Sequence, residues 1–131
     1  MAALFTEEWM QSFASYWNAE PELSDALAQI GFNSIIGYGF DGEDKPTGVL
    51  TVENGRAVRG ESYCGQAVNW DIRASEAQWR KWIANPPGMM GLGMAFTSRK
   101  LKFVVGDYTS MIKDPRMTGP FINSFAVMAR V

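Results

Sequence analysis

The 131-residue sequence predicts an α+β fold, a five-stranded antiparallel sheet covered on one face by helices. Three observations predict it. Apolar residues recur at spacings of three and four at both ends of the chain, and they alternate at a spacing of two in between. Turn residues (Gly42, Pro46, Asn54-Gly55, Gly60, Pro86-Pro87-Gly88) punctuate the alternating stretches. No repeat, low-complexity tract or linker interrupts the pattern, and residues 1–131 read as one domain. A chain of this length buries roughly two thirds of its unfolded surface and needs no disulfide or metal to fold.

The first helix opens at Thr6, whose side chain caps a turn carrying Glu7 and Glu8. Phe5, Trp9, Phe13, Tyr16 and Trp17 mark its apolar face. Pro21 starts a second helix through Leu23, Leu27 and Ile30, and Gly31 stops it. The period then changes. Ile36, Tyr38 and Phe40 share one face of a strand, with Ile35, Gly37 and Gly39 on the other. The two glycines leave room there for a ligand or for close helix packing. Leu50 and Val52 belong to a second strand, and Asn54-Gly55 turns it into a third near Ala57–Gly60.

Residues 67–73 alternate Val68, Trp70 and Ile72 inward with Asn69, Asp71 and Arg73 outward, the pattern of an antiparallel strand with one wet face. Ser75 and Gln78 cap a third helix bearing Trp79, Trp82 and Ile83, which Pro86-Pro87 ends. The glycine-rich stretch 88–94 reads as an apolar loop. Leu101, Phe103 and Val105 form the last strand. After a break at Gly119-Pro120, the stripe Phe121, Ile122, Phe125 and Met128 predicts a terminal helix, placed to act as a lid.

Composition excludes much chemistry. The chain has no histidine, which removes the commonest general base, the Ser-His and Cys-His pairs and most zinc sites. Its one cysteine, Cys64, has no partner for a disulfide or for activation and fits a reducing cytosol. Gly88–Gly93 lacks the Lys-Ser/Thr ending of a phosphate loop, and no pair of carboxylates is singled out by its spacing. We therefore expect no catalytic residues, no metal and no cofactor. A net charge of −2 argues against nucleic acid as a partner. The N-terminal segment does not read as a signal peptide, no stretch is long and apolar enough to span a membrane, and the C-terminus lacks a Ser-Lys-Leu address. These features predict a cytoplasmic protein. Charge is uneven, −8 over residues 1–53 and +6 over 54–131. The basic half reads either as solvated surface or as a patch for transient contact with an anionic head group or membrane.

One segment resembles a known family. Ala95-Phe96-Thr97-Ser98-Arg99-Lys100-Leu101-Lys102, followed by Phe103-Val104-Val105-Gly106-Asp107, is similar to the signature of the sterol carrier protein-2 (SCP2) lipid-binding domain. That signature runs Ala-Phe, two residues, Gly-Lys-Leu-Lys, then Gly-Asp/Asn. Phe32-Asn33 and the strand order to Arg73 also resemble the family, over roughly residues 30–112. Arg99 stands where the family has glycine, and Tyr108 where a methionine begins a short helix.

The resemblance implies an apolar tunnel between sheet and helices, partly closed by the C-terminal helix, and binding without catalysis. The ligand it implies is a fatty acid, fatty acyl-CoA, sterol or phospholipid. The eight methionines, core filler on composition alone, then read as an adaptable lining. The residues expected to line the site are Trp82 and Ile83 on the third helix, Met89, Met90 and Met94 in the glycine-rich stretch, and Phe96 and Phe103 in the signature. Met111, Ile112, Phe121 and Phe125 complete the set. Arg99, Lys100, Lys102, Lys113 and Arg116 are placed to meet an anionic head group or to protect an edge strand. The alternative from another class is a non-catalytic accessory subunit whose partner is an enzyme.

Overall fold

The structure, a computed structural model, describes residues 3–131, so Met1 and Ala2 of the N-terminal segment read above for a leader lie outside the described residues. Two helices come first, α1 (Glu7–Asn18) and α2 (Pro21–Gln29), then three strands, β1 (Ser34–Phe40), β2 (Gly48–Glu53) and β3 (Arg56–Ser62). Strand β4 (Trp70–Ala74) leads into α3 (Glu76–Ala84) and α4 (Met89–Thr97). The chain finishes with β5 (Lys102–Val105), α5 (Tyr108–Ile112) and α6 (Pro115–Met128).

The expected starts hold at residue level. Thr6 Oγ1 accepts the Trp9 N–H, Ser75 Oγ accepts the Gln78 N–H, and Pro21 occupies the first turn of α2. Asn54 and Gly55 both take positive φ, 53° and 81°, as a two-residue hairpin with the twist of its strands requires.

Strand order is β3-β2-β1-β4-β5. The β2–β3, β1–β2 and β4–β5 pairs are antiparallel, but β1 and β4 run parallel, so the sheet is mixed and not purely antiparallel. After Ser62 the chain does not turn back in a hairpin. It runs to the far side of β1, where Asn69 fastens it: its N–H donates to the Ile35 carbonyl (2.8 Å) and its Oδ1 accepts the Ile35 N–H (2.8 Å). Side chains alternate identically in parallel and antiparallel strands, so the pattern of residues 67–73 carries no direction.

The core lies between the sheet and the helices, where Ile36, Tyr38, Leu50, Val52 and Ile72 meet Trp9, Phe13, Trp17, Leu23 and Leu27. Phe5 stacks on Tyr38 (5.7 Å) and meets Trp79 edge-on (5.0 Å), so aromatic rings stitch α1 to β1 and α3. The indoles of Trp17 and Trp79 donate to the carbonyls of Gly55 and Gly39, both at 2.9 Å.

The opposite face of β1 and β4 is not wet. Asp71 and Arg73 are 4% and 2% exposed, because the segment between β1 and β2 folds over them. Arg73 grips Asp71 through Nε to Oδ1 and Nη2 to Oδ2 (2.9 Å), and its Nη1 donates to the Glu43 carbonyl (2.6 Å). Gly37 and Gly39 serve this closure: a Cβ on either would press against Pro46, and one on Gly39 also against Arg73. Pro46 and the Arg73 side chain fill the space they leave.

Two further expectations are corrected. Residues 89–97 form helix α4, which takes in most of the stretch 88–94 expected to be a loop. Glycines at 91 and 93 each disfavour it by about 1 kcal/mol, but Leu92 and Ala95, at 0% and 6% exposure, bury into the core and override that propensity. The terminal helix does not begin after Gly119-Pro120. It starts at Pro115, where Asp114 accepts the Arg116 N–H, and continues through Pro120. A helical proline leaves one carbonyl without its usual donor. Here it does not end the helix.

Candidate functional site

The sheet and helices do not close completely. Beneath α6 lies a small, partly open cleft with a volume of about 40 Å³, well short of the roughly 300–1,000 Å³ usual for small-ligand sites. Its floor is built from buried residues of four elements: Ile36 and Tyr38 of β1, Ile72 of β4, Trp17 of α1, and Leu23 and Leu27 of α2. Its rim comes from Phe32, Trp70, Met111, Met117, Pro120, Phe121 and Ser124. Floor positions follow from the periods of the sequence, since Ile36 and Tyr38 are i, i+2 on a strand and Leu23 and Leu27 are i, i+4 on a helix.

No lining side chain is charged. Three carry polar atoms of note. The Trp17 indole N–H is taken by Gly55, and Ser124 Oγ donates to the Phe121 carbonyl (2.6 Å), keeping its acceptor capacity. Burial alone pushes the Tyr38 phenol far above its usual value, so it stays a neutral donor at any ordinary pH. Among the described residues no group of three or more His, Cys, Asp or Glu is placed to hold a metal ion, and no helix is long and apolar enough to cross a membrane. The arrangement holds no nucleophile beside a base. What it offers chemically is apolar surface.

Three solved structures share this architecture over nearly the whole chain. A crystal structure of sterol carrier protein 2 is 18% identical, with a TM-score of 0.77 over 98% of this chain and 99% of that one. The chain has the sterol carrier protein 2 fold. The solution structure of a conserved hypothetical protein from Thermus thermophilus, described as possibly a sterol carrier protein, is 16% identical, with a TM-score of 0.67 over 97% and 90% of the two chains. A structure described as "UbiJ-SCP2 Ubiquinone synthesis protein" is 12% identical, with a TM-score of 0.58 over 98% and 93%. No family model matches the chain, and no curated protein does.

The signature residues of the SCP2 resemblance have structural duties around the cleft. Gly106 has φ 107°, and a Cβ there would collide with the Trp70 indole, so this glycine lets a rim residue lie flat against the backbone. Asp107 caps α5 by accepting from Ser110 N–H (3.1 Å) and Oγ (2.7 Å), and these bonds hold its carboxyl below the usual range. Arg99 takes φ 65°, the left-handed turn for which glycine is the ordinary choice. The turn into β5 is thus kept without the glycine. Tyr108 begins α5, stacked 4.2 Å from Phe96.

Of the residues expected to line the site, Met111 and Phe121 do line the cleft. Phe96, Phe103 and Ile112 do not line it but are half-buried against the core, Phe103 beside the lining residues Trp70 (5.9 Å) and Phe121 (6.0 Å). Trp82 and Phe125 are sealed into the core, their rings 5.4 Å apart, and Ile83 packs against that core. Met89, Met90 and Met94 are 53%, 80% and 67% exposed on the outer side of α4, away from the cleft. Among the basic residues, Lys102 pairs with Asp41 (2.9 Å) and Arg116 with Asp114 (3.1 Å), and none lines the cleft.

Sequence reasoning passes over the floor. Trp17, Leu23, Leu27, Ile36, Tyr38 and Ile72 read as ordinary core because their periodicity is that of core, and a cleft wall is core until something fails to fill it. Met117 is one of the eight methionines but sits on a stretch of helix that the sequence does not reveal.

Proposed function

We propose that the chain binds a lipid-like apolar molecule in the cleft beneath α6, without catalysing a reaction on it. The observation that carries this is the lining: thirteen residues, none charged, around a small cleft that must widen to seat a lipid chain. Fatty acids, fatty acyl-CoA esters, sterols and phospholipids all present the apolar surface that such a lining favours. Each methylene buried contributes about 0.8 kcal/mol, so a long chain binds well with few polar contacts. The SCP2 fold supports the reading, since the similar structures include a sterol carrier protein.

Tryptophan fluorescence tests it. Trp17 and Trp70 line the cleft, whereas Trp82 lies outside it. Titrating a long-chain alcohol into the protein should shift its emission saturably. Trp70→Phe should remove a large part of that change and Trp82→Phe little of it. An undiminished response in Trp70→Phe combined with a lost response in Trp82→Phe would move the site to α3.

A second reading has its own observation. Helix α4 carries no charged residue and exposes three methionines, a surface suited to seating on a partner enzyme as an accessory module. One of the similar structures is described as a ubiquinone synthesis protein. Native mass spectrometry of protein drawn gently from its own cells separates the two: a monomer carrying small-molecule mass supports the carrier, and a stoichiometric protein complex without it supports the accessory module.

A further inference from the structure

Tyr38 is a deeply buried cleft residue whose polar group is unspent. It is 2% exposed, in the middle of β1, with its ring wedged between Phe5 (5.7 Å) and Phe13 (5.6 Å). Its hydroxyl makes no hydrogen bond to any described residue, and burial is the only influence on its pKa. Yet no fully occluded side-chain polar atom among the described residues lacks a partner. The oxygen is therefore not sealed in protein. It keeps some accessible surface, and the cleft is the free space that Tyr38 lines.

A buried donor left unpaired costs about 1–3 kcal/mol, and native structures rarely tolerate one without a purpose. Water is a poor filler at this position. A buried water needs two to four polar partners; Leu23, Leu27, Ile36 and Ile72 offer none, so Tyr38 and Ser124 give it the bare minimum.

We infer that the cleft recognises a ligand bearing an uncharged oxygen at its inner end, a hydroxyl or carbonyl that accepts the Tyr38 hydrogen bond. This rests on the reading that the cleft binds an apolar molecule, and it narrows that class. A carboxylate or phosphate at the same depth would be stripped of water with no lysine or arginine among the lining residues to meet it. Burying a neutral oxygen costs far less. Ser124 Oγ, which lines the cleft and has acceptor capacity left, complements a ligand hydroxyl that must also donate. The charged end of any amphiphile is then directed outward, past Met117 and Phe121.

Tyr38→Phe removes the oxygen and little else. Because the hydroxyl bonds to no described protein group, the ligand-free variant should melt at the wild-type temperature or slightly above it, which separates a binding defect from a folding defect. Calorimetric titration would use three probes of equal chain length: decan-1-ol, decanoate at pH 8, and decane delivered from cyclodextrin. Wild type should bind decan-1-ol most tightly. Tyr38→Phe should weaken decan-1-ol about five- to tenfold, the contribution of one buried neutral hydrogen bond, and leave decane unchanged. An unaltered decan-1-ol affinity in the variant, with all probes still binding, overturns the inference and leaves the apolar cleft standing. A variant that loses decanoate more than decan-1-ol also overturns it, by showing that the inner end takes an anion. If no probe binds wild type, the cleft reading itself falls, and the inference with it.

Discussion

Deleting residues 115–131 should leave a chain that no longer unfolds cooperatively. The C-terminal half of α6 is core: Phe125, Val127 and Met128 are each 1% exposed, and Phe125 stacks on Trp79 at 6.0 Å with ring planes 15° apart. Phe125 also meets Trp82 and Phe121 edge-on, so its loss opens the aromatic cluster that joins α3 to the sheet. Phe125→Ala alone should cost about 3–5 kcal/mol, the usual range for emptying a buried phenylalanine. Thermal melting followed by near-ultraviolet circular dichroism checks both. A truncated protein with a sharp transition and an intact aromatic signal would mean that the whole helix is a detachable lid. The structure divides the helix differently. Met117, Pro120 and Phe121 at its front rim the cleft, while the rear half anchors it. Any opening must therefore come from the front of α6 and from α5, with the rear as pivot.

Asp71→Ala should destabilise the protein by about 3–5 kcal/mol, because it leaves the Arg73 guanidinium buried and uncompensated. The pair sits under the segment between β1 and β2, and Arg73 also holds that segment by the Glu43 carbonyl. Urea denaturation at neutral pH measures the cost. A loss below about 1 kcal/mol, the level of an exposed pair, would mean that the segment lifts away and lets water reach the arginine. Replacing both residues by apolar ones should recover part of the stability but not all of it, since the carbonyl contacts of Arg73 go as well.

What the sequence reveals, and what it hides, follows from how local each cause is. The caps at Thr6 and Ser75, the proline start of α2 and the Asn54-Gly55 hairpin are decided within four residues, and all are legible. The direction of β4 is decided by where the chain goes after Ser62, which no alternation of side chains records. Asp71 and Arg73 look like a wet face until a loop some thirty residues away covers them. Helix α4 contradicts its own glycines because Leu92 has a place in the core. The signature at 95–107 points to the fold correctly, but its phenylalanines flank the cleft without building its floor. A tyrosine in a strand declares nothing; only the missing hydrogen-bond partner distinguishes Tyr38 from filler.

The central claim, that the cleft beneath α6 is where an apolar ligand goes, is tested most directly through the methionine methyl groups. Met111 and Met117 line the cleft, while Met89, Met90 and Met94 stand on exposed α4. The full chain carrying ¹³C-methyl methionine would be titrated with decan-1-ol and followed by two-dimensional NMR. The methyl signals of Met111 and Met117 should shift saturably, and those of Met89, Met90 and Met94 should stay in place. Shifts confined to the three α4 methionines, with Met111 and Met117 unmoved, would contradict the account and put binding on the outer surface.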